Sequence, residues 1–208
     1  MIKKTVFCLF TIPLALTAAM PPQGKANETP ITLDFTKSEL PAGWTFPKGW
    51  KSEVGELRGE GAGIFERTAP LTGDFTITFD AWFEEKASIE LKIIDAKADS
   101  KKIEGEHYTF AFAGLYHSVL DGVKSCILKG NQFVNVNPKM WIFPGRMFHF
   151  EVRSAKHQFQ MFLNQELGPV FVDSAPPGDA SYRIRFVVAT EGKKDKVRID
   201  NIKIETRP

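Results

Sequence analysis

GDFTITFDAWF, residues 73–83, sets Phe75, Ile77, Phe79, Ala81 and Phe83 against Thr76, Thr78, Asp80 and Trp82. Successive side chains of a β-strand point to opposite faces, so this spelling predicts a strand with one apolar face and one face turned outward. Trp82 breaks the polarity of the outward set. A large ring on the side opposite Phe79 and Phe83 needs a reason, either cover at a rim or loop, or a ligand to meet.

The same period of two recurs along the chain. SIELKII sets Ile89, Leu91 and Ile93 against Ser88, Glu90 and Lys92, and HYTFAF sets Tyr108, Phe110 and Phe112 against His107, Thr109 and Ala111. FHFEVR, QFQMFL and YRIRFVV repeat the pattern, with His149, Glu151, Arg153, Gln158, Gln160, Arg183 and Arg185 outward. Turn signals separate the runs: Thr72-Gly73-Asp74, Asp121-Gly122, Lys129-Gly130-Asn131, Pro144-Gly145 and Pro176-Pro177-Gly178. No ten-residue segment carries a helical stripe. Many short alternating strands with regular turns predict an all-β, antiparallel β-sandwich or barrel. The Gly- and Pro-rich stretch around residues 40–66 is expected to run as short strands and loops over one end.

KVRIDNIKIE, residues 196–205, changes phase. Val197 and Ile199 are odd, Ile202 and Ile204 even, and one uninterrupted strand cannot bury all four on one side. One extra residue at Asp200-Asn201 would restore inward packing, so a β-bulge is expected there, with Asp200 capping nearby amides. A structural calcium site using the Asp200 carboxylate is the alternative, but no Asp-rich loop accompanies it.

The first 26 residues read as a signal peptide: MIKK is a basic start, TVFCLFTIPLALTAA an apolar run, and small residues follow. Cleavage is expected after Ala26, with Ala19 the alternative. The run is shorter than the ~20 residues of a spanning helix and Pro13 interrupts it, so no membrane insertion is expected after cleavage. Loss of Lys3, Lys4 and Lys25, with no acid, takes the 27 basic and 25 acidic residues of the whole chain to 24 and 25. No basic patch calls for nucleic acid. Cys126 is then the sole cysteine and no internal disulfide can form. Residues 27–208 are expected to be one sandwich domain, periplasmic or secreted, held by its core.

The order LDFT…LPAGW, GELRGEG, GDFTITFDAWF, GRMFHFEVRSAKHQFQMFLNQE and RIDNIKIE resembles bacterial exported domains of the concanavalin A-like lectin/glucanase superfamily. Within it, the chain is similar to the laminin-G-like and 3-keto-disaccharide hydrolase-like groups. The likeness spans roughly residues 31–205 and implies a concanavalin A-like jelly roll with glycan-related activity. Asn164-Gln165 stands where the pattern has Asn-Gly, which predicts a hairpin longer than two residues, through Gly168.

The residues test several chemistries. Retaining glycosidases need two carboxylates about 5 Å apart. The Glu-x-Asp-x-Glu strand typical of the superfamily's glucanases does not occur. Asp80 and Glu84 have the right separation without the central acid, and Glu53 and Glu56 have opposite parity. His107, His117, His149 and His157 show no metal-ligand spacing, though His107 and His149 could meet if their strands were neighbours. Cys126 reads as a buried inert thiol. Sugar binding asks for an aromatic ring beside hydrogen-bonding side chains. Trp82, with Asp80, Glu90, His107 and Arg185 around it, forms the candidate ligand-binding set. Trp44, Trp50, Tyr116 and Trp141 read as loop anchors. The chain is therefore expected to be a lectin-like module for a glycan or polysaccharide, with no cofactor unless calcium is structural. An enzyme acting on a glycoside or keto-sugar, or an envelope protein binding through a sheet edge, are the alternatives.

Overall fold

The computed structural model describes residues 30–37, 39–96, 107–112, 125–174 and 181–207. Residues 1–26, Tyr116, His117 and the turn signals at 121–122 and 176–178 lie outside them. The described strands are β1 (Ile31–Thr32), β2 (Trp44–Thr45), β3 (Lys51–Glu53), β4 (Glu56–Glu60), β5 (Gly63–Arg67), β6 (Leu71–Thr72), β7 (Asp74–Phe83) and β8 (Ala87–Asp95). They continue as β9 (His107–Phe112), β10 (Ser125–Lys129), β11 (Gln132–Asn137), β12 (Met147–Ala155), β13 (Gln158–Leu163), β14 (Glu166–Val172), β15 (Ser181–Thr190) and β16 (Lys196–Arg207).

These strands form two eight-stranded antiparallel sheets. The first runs β14-β13-β12-β7-β16-β4-β3 with β1 also on β16, and the second runs β11-β10-β9-β8-β15-β5-β2 with β6 also on β15. The strand that decided the sequence reading sits mid-sheet, between β12 and β16. Phe75, Ile77, Phe79, Ala81 and Phe83 are all at most 2% exposed, as the period of two predicts. Phe79 stacks on Phe150 of its own sheet at 4.7 Å and meets Phe112 and Phe186 of the facing sheet edge-on at 6.5 and 5.1 Å. Such offset and T-shaped contacts suit the ring quadrupoles and join the layers through one interior. Trp44 packs on Phe65 and Phe186, and Trp50 is 5% exposed in the core, so both anchor their loops.

The phase change in β16 is a bulge. Asp200 lies opposite Asp80 and Lys203 opposite Thr78, so β16 spends three steps where β7 spends two. Asn201, at φ 52, takes the left-handed conformation there. Val197, Ile199, Ile202 and Ile204 are consequently all at most 1% exposed. Asp200 Oδ1 accepts the Asn201 amide at 2.7 Å, the capping expected of it.

One expectation is corrected. Asn164 and Gln165 alone join β13 to β14, with Leu163 opposite Glu166, and both have positive φ (50 and 70). That is a two-residue hairpin turn of the kind Asn-Gly makes. The turn is held by Asn164, whose amide donates to the His149 carbonyl at 2.8 Å while its Oδ1 accepts the His149 amide at 2.9 Å. Those bonds to β12 secure the conformation that a second-position glycine would otherwise ease.

Candidate functional site

Strand pairing arranges the outer face of the first sheet in transverse rows. Lys51, Arg58, Arg198, Trp82 and Met147 stand side by side on β3, β4, β16, β7 and β12. The Arg198 guanidinium carbon lies 4.1 Å from the centre of a Trp82 ring, a cation–π stack. Arg198 Nε is buried and has no acceptor among the described residues. Beside this basic row runs an acidic one, with Glu53 opposite Glu56 and Asp200 opposite Asp80. Glu56 pairs with Arg58 at 2.9 Å and Arg198 at 3.8 Å, and Glu53 with Lys51 at 3.3 Å. The hairpin thus brings Glu53 and Glu56 together despite their opposite parity, because register partners across a two-residue turn share a face.

The basic row borders a cleft of about 710 Å³. The cleft is lined by residues 48–51, by Arg58, Gly59 and Glu60 of β4, by Lys193 between β15 and β16, and by Trp82, Glu84 and Arg198. Gly61 lets the segment between β15 and β16 dock: its amide donates to the Asp195 carbonyl at 2.9 Å, and a Cβ there would stand 2.7 Å from the Lys193 carbonyl oxygen. At the end of β7, Glu84 accepts the Lys196 amide and ammonium, both at 3.2 Å. These bonds, the backbone one foremost, hold its carboxyl below the usual range.

Two residues before Trp82, Asp80 is held on both oxygens. Its Oδ1 lies 2.6 Å from Nδ1 of His149 on β12, and its Oδ2 accepts from Nδ2 of Asn201 at 2.7 Å. A carboxylate only accepts, so the first bond puts a proton on Nδ1 and leaves Nε2 without a protein partner among the described residues. The imidazole is thus oriented by a carboxylate and reaches solvent, its side chain 41% exposed. That arrangement can accept a hydrogen bond or a proton at Nε2.

The structure divides the residues expected to surround Trp82. Asp80 shares its face. Glu90 and Arg185 stand on β8 and β15 of the other sheet, with His107 at the start of β9, so the five do not assemble into one site. Glu90 pairs with Lys92 at 3.2 Å, and Arg185 with Glu66 at 2.7 Å. Glu66 and Glu90 sit on β5 and β8, strands separated by β15, and each is engaged by a neighbouring cation. His107 and His149 belong to β9 and β12, strands of different sheets and not neighbours. Cys126 is buried, and burial first, then Glu90, pushes its thiol up to about 11. Among the described residues no three of His, Cys, Asp and Glu gather where they could hold a metal ion. Arg58, Arg198, Lys193 and the Asp80–His149–Asn201 contact escaped the sequence reading. Of these, only the outward parity of Arg198 and His149 carried a signal.

No protein-family model matches the chain, and no curated protein does either. Solved structures do. A Parabacteroides distasonis protein assigned as a glycosyl hydrolase superposes with a TM-score of 0.61 at 14% identity, over 86% of this chain and 100% of that one. The carbohydrate-binding module CBM66 from Bacillus subtilis gives 0.53 at 16%, over 79% and 96%. The carbohydrate recognition domain of Emp46p gives 0.62 at 10%, over 80% and 89%. The chain therefore has the concanavalin A-like sandwich fold that these structures share.

Proposed function

We propose that the protein is an exported glycan-binding module whose site is the Trp82 cleft on the outer face of the first sheet. The observation that carries this reading is the Trp82–Arg198 stack at the foot of a cleft edged by hydrogen-bonding side chains. Sugars offer apolar C–H patches ringed by hydroxyls, and a guanidinium–indole stack gives a flat partner with N–H donors at its rim. Neighbours in fold that are named as a carbohydrate-binding module and a carbohydrate recognition domain support it. Affinity electrophoresis in a panel of soluble polysaccharides tests it. At least one polysaccharide should retard the protein, and Trp82→Ala should weaken that binding about tenfold or more, the loss of a central aromatic contact. Retardation unchanged in Trp82→Ala would remove the site from this cleft. Export by residues 1–26 is part of the proposal, and N-terminal sequencing of the processed protein should begin at Asn27.

The Asp80–His149 pair favours a second reading, an enzyme that abstracts a proton from a glycoside or keto-sugar, with His149 Nε2 as the base. Turnover of a keto-glycoside that survives His149→Gln undiminished would exclude that role.

A further inference from the structure

The Trp82 cleft carries an excess of positive charge. Six cationic side chains line it, Lys48, Lys51, Arg58, Lys193, Lys196 and Arg198, against the carboxylates of Glu53, Glu60 and Glu84. The cations are not equivalent. Lys51 and Arg58 are drawn to Glu53 and Glu56, Lys196 to Glu84, and Arg198 to Glu56. Lys48 and Lys193 line the cleft and make no ion pair among the described residues. Arg198 also lines the cleft, its side chain 34% exposed and its ion-pair contact with Glu56 a long one at 3.8 Å. Two unpaired ammonium groups and a loosely paired guanidinium in a cleft with twice as many cations as carboxylates describe a receptor for an anion, beside an indole that serves a sugar ring.

We infer that the cleft recognises an anionic saccharide, with the carboxylate of a uronic acid or a sulfate ester held among Lys48, Lys193 and Arg198. The inference rests on the reading of this cleft as a glycan site and names the glycan's chemical class. A charged group on the sugar supplies what the neutral hydroxyls cannot: a negative charge that neutralises the surplus positive charge of the cleft. Asp80 and His149 lie in the row neighbouring that of Trp82.

Binding to matched polymers tests it: polygalacturonate against its methyl ester, heparin against desulfated heparin, with neutral laminarin and single-stranded DNA beside them, at low and raised salt. The expected result is a preference of about tenfold for the charged member of at least one pair, the scale of two partly exposed ion pairs. Salt should erode it. Preference within the polygalacturonate pair assigns a carboxylate, and within the heparin pair a sulfate. The double variant Lys48→Gln/Lys193→Gln should abolish the preference between the charged and uncharged members. Equal binding of charged and uncharged members, a preference that survives the double variant, or DNA bound as tightly as the preferred polymer would each overturn the inference, with the glycan site itself intact in the first two cases. If no saccharide of either kind binds, the glycan reading falls with it.

Discussion

Asn201 donates from Nδ2 to Oδ2 of Asp80 at 2.7 Å, although Asp200, not Asn201, is the register partner of Asp80 on β7. The bulge that rephases Ile202 and Ile204 into the core also turns an amide toward the carboxylate that orients His149. One extra residue therefore serves both faces of the same strand, packing below and site geometry above.

Substitutions at Asn201 separate these roles. Asn201→Gly keeps access to the left-handed backbone at φ 52 and loses the bond to Asp80, which should cost about 1–2 kcal/mol. Asn201→Val loses the bond and adds the strain of a β-branched residue at positive φ, about 1–2 kcal/mol more. Urea-unfolding midpoints check this. Equal midpoints for the two variants would show that the backbone conformation stores no strain.

Gly59 lies against the Trp50 ring so closely that a Cβ there would sit 2.2 Å from it. Trp50 is 5% exposed, and its ring would have to move to admit the methyl. Gly59→Ala should lower stability by about 1–3 kcal/mol through overpacking, and tryptophan fluorescence should shift as the ring is displaced. Combining it with Trp50→Phe should cost less than the two changes summed. Strict additivity would mean that the contact is not the cause.

Asp173 follows β14 of the first sheet and accepts from the Tyr108 hydroxyl on β9 and from the Lys129 ammonium at 2.7 Å on β10, both in the second sheet. It is 5% exposed. Asp173→Ala leaves the buried Tyr108 hydroxyl without this acceptor and should cost about 1–3 kcal/mol, the range for an unsatisfied buried donor, since Lys129, which also loses this contact, is partly exposed. Tyr108→Phe should cost about 1–2 kcal/mol. Thermal melts of the single and double variants measure the coupling. A coupling near zero would show that Asp173 does not bind the sheets through Tyr108.

Tyr108 and Tyr182 should make the fold sensitive to alkali. Burial first, then Asp173, raises the Tyr108 phenol, and burial first, then Asp95, raises that of Tyr182. The unfolded chain releases these protons near pH ~10 while the folded chain keeps them, so their contribution is whole below that pH and declines as pH rises above it. Near-ultraviolet absorbance should report tyrosinate from these residues only together with loss of circular dichroism. Ionisation of both in a chain that still gives its native spectrum would contradict the burial argument.

Much of the architecture was legible from parity. The alternation in residues 75–83 placed each of those side chains on its correct face, and the switch from odd to even at Asp200-Asn201 located the bulge to the residue. The site was legible only in part. Trp82 and Asp80 were correctly grouped on the outward side of β7, but Glu90, His107 and Arg185 were assigned to their company and lie in the other sheet. His149, written as one outward residue among many, is the one that reaches Asp80.

The amino-acid sequence by itself determined which residues alternate and where the phase slips, because strand periodicity is a property of consecutive residues. Only the tertiary structure decided which strands are neighbours, since hydrogen-bonded pairing joins segments as distant as β4, β7 and β16. A sandwich has two outer faces that read alike along the chain. The row of Lys51, Arg58, Arg198 and Trp82 exists because four strands meet in one register, and no local spacing encodes that meeting.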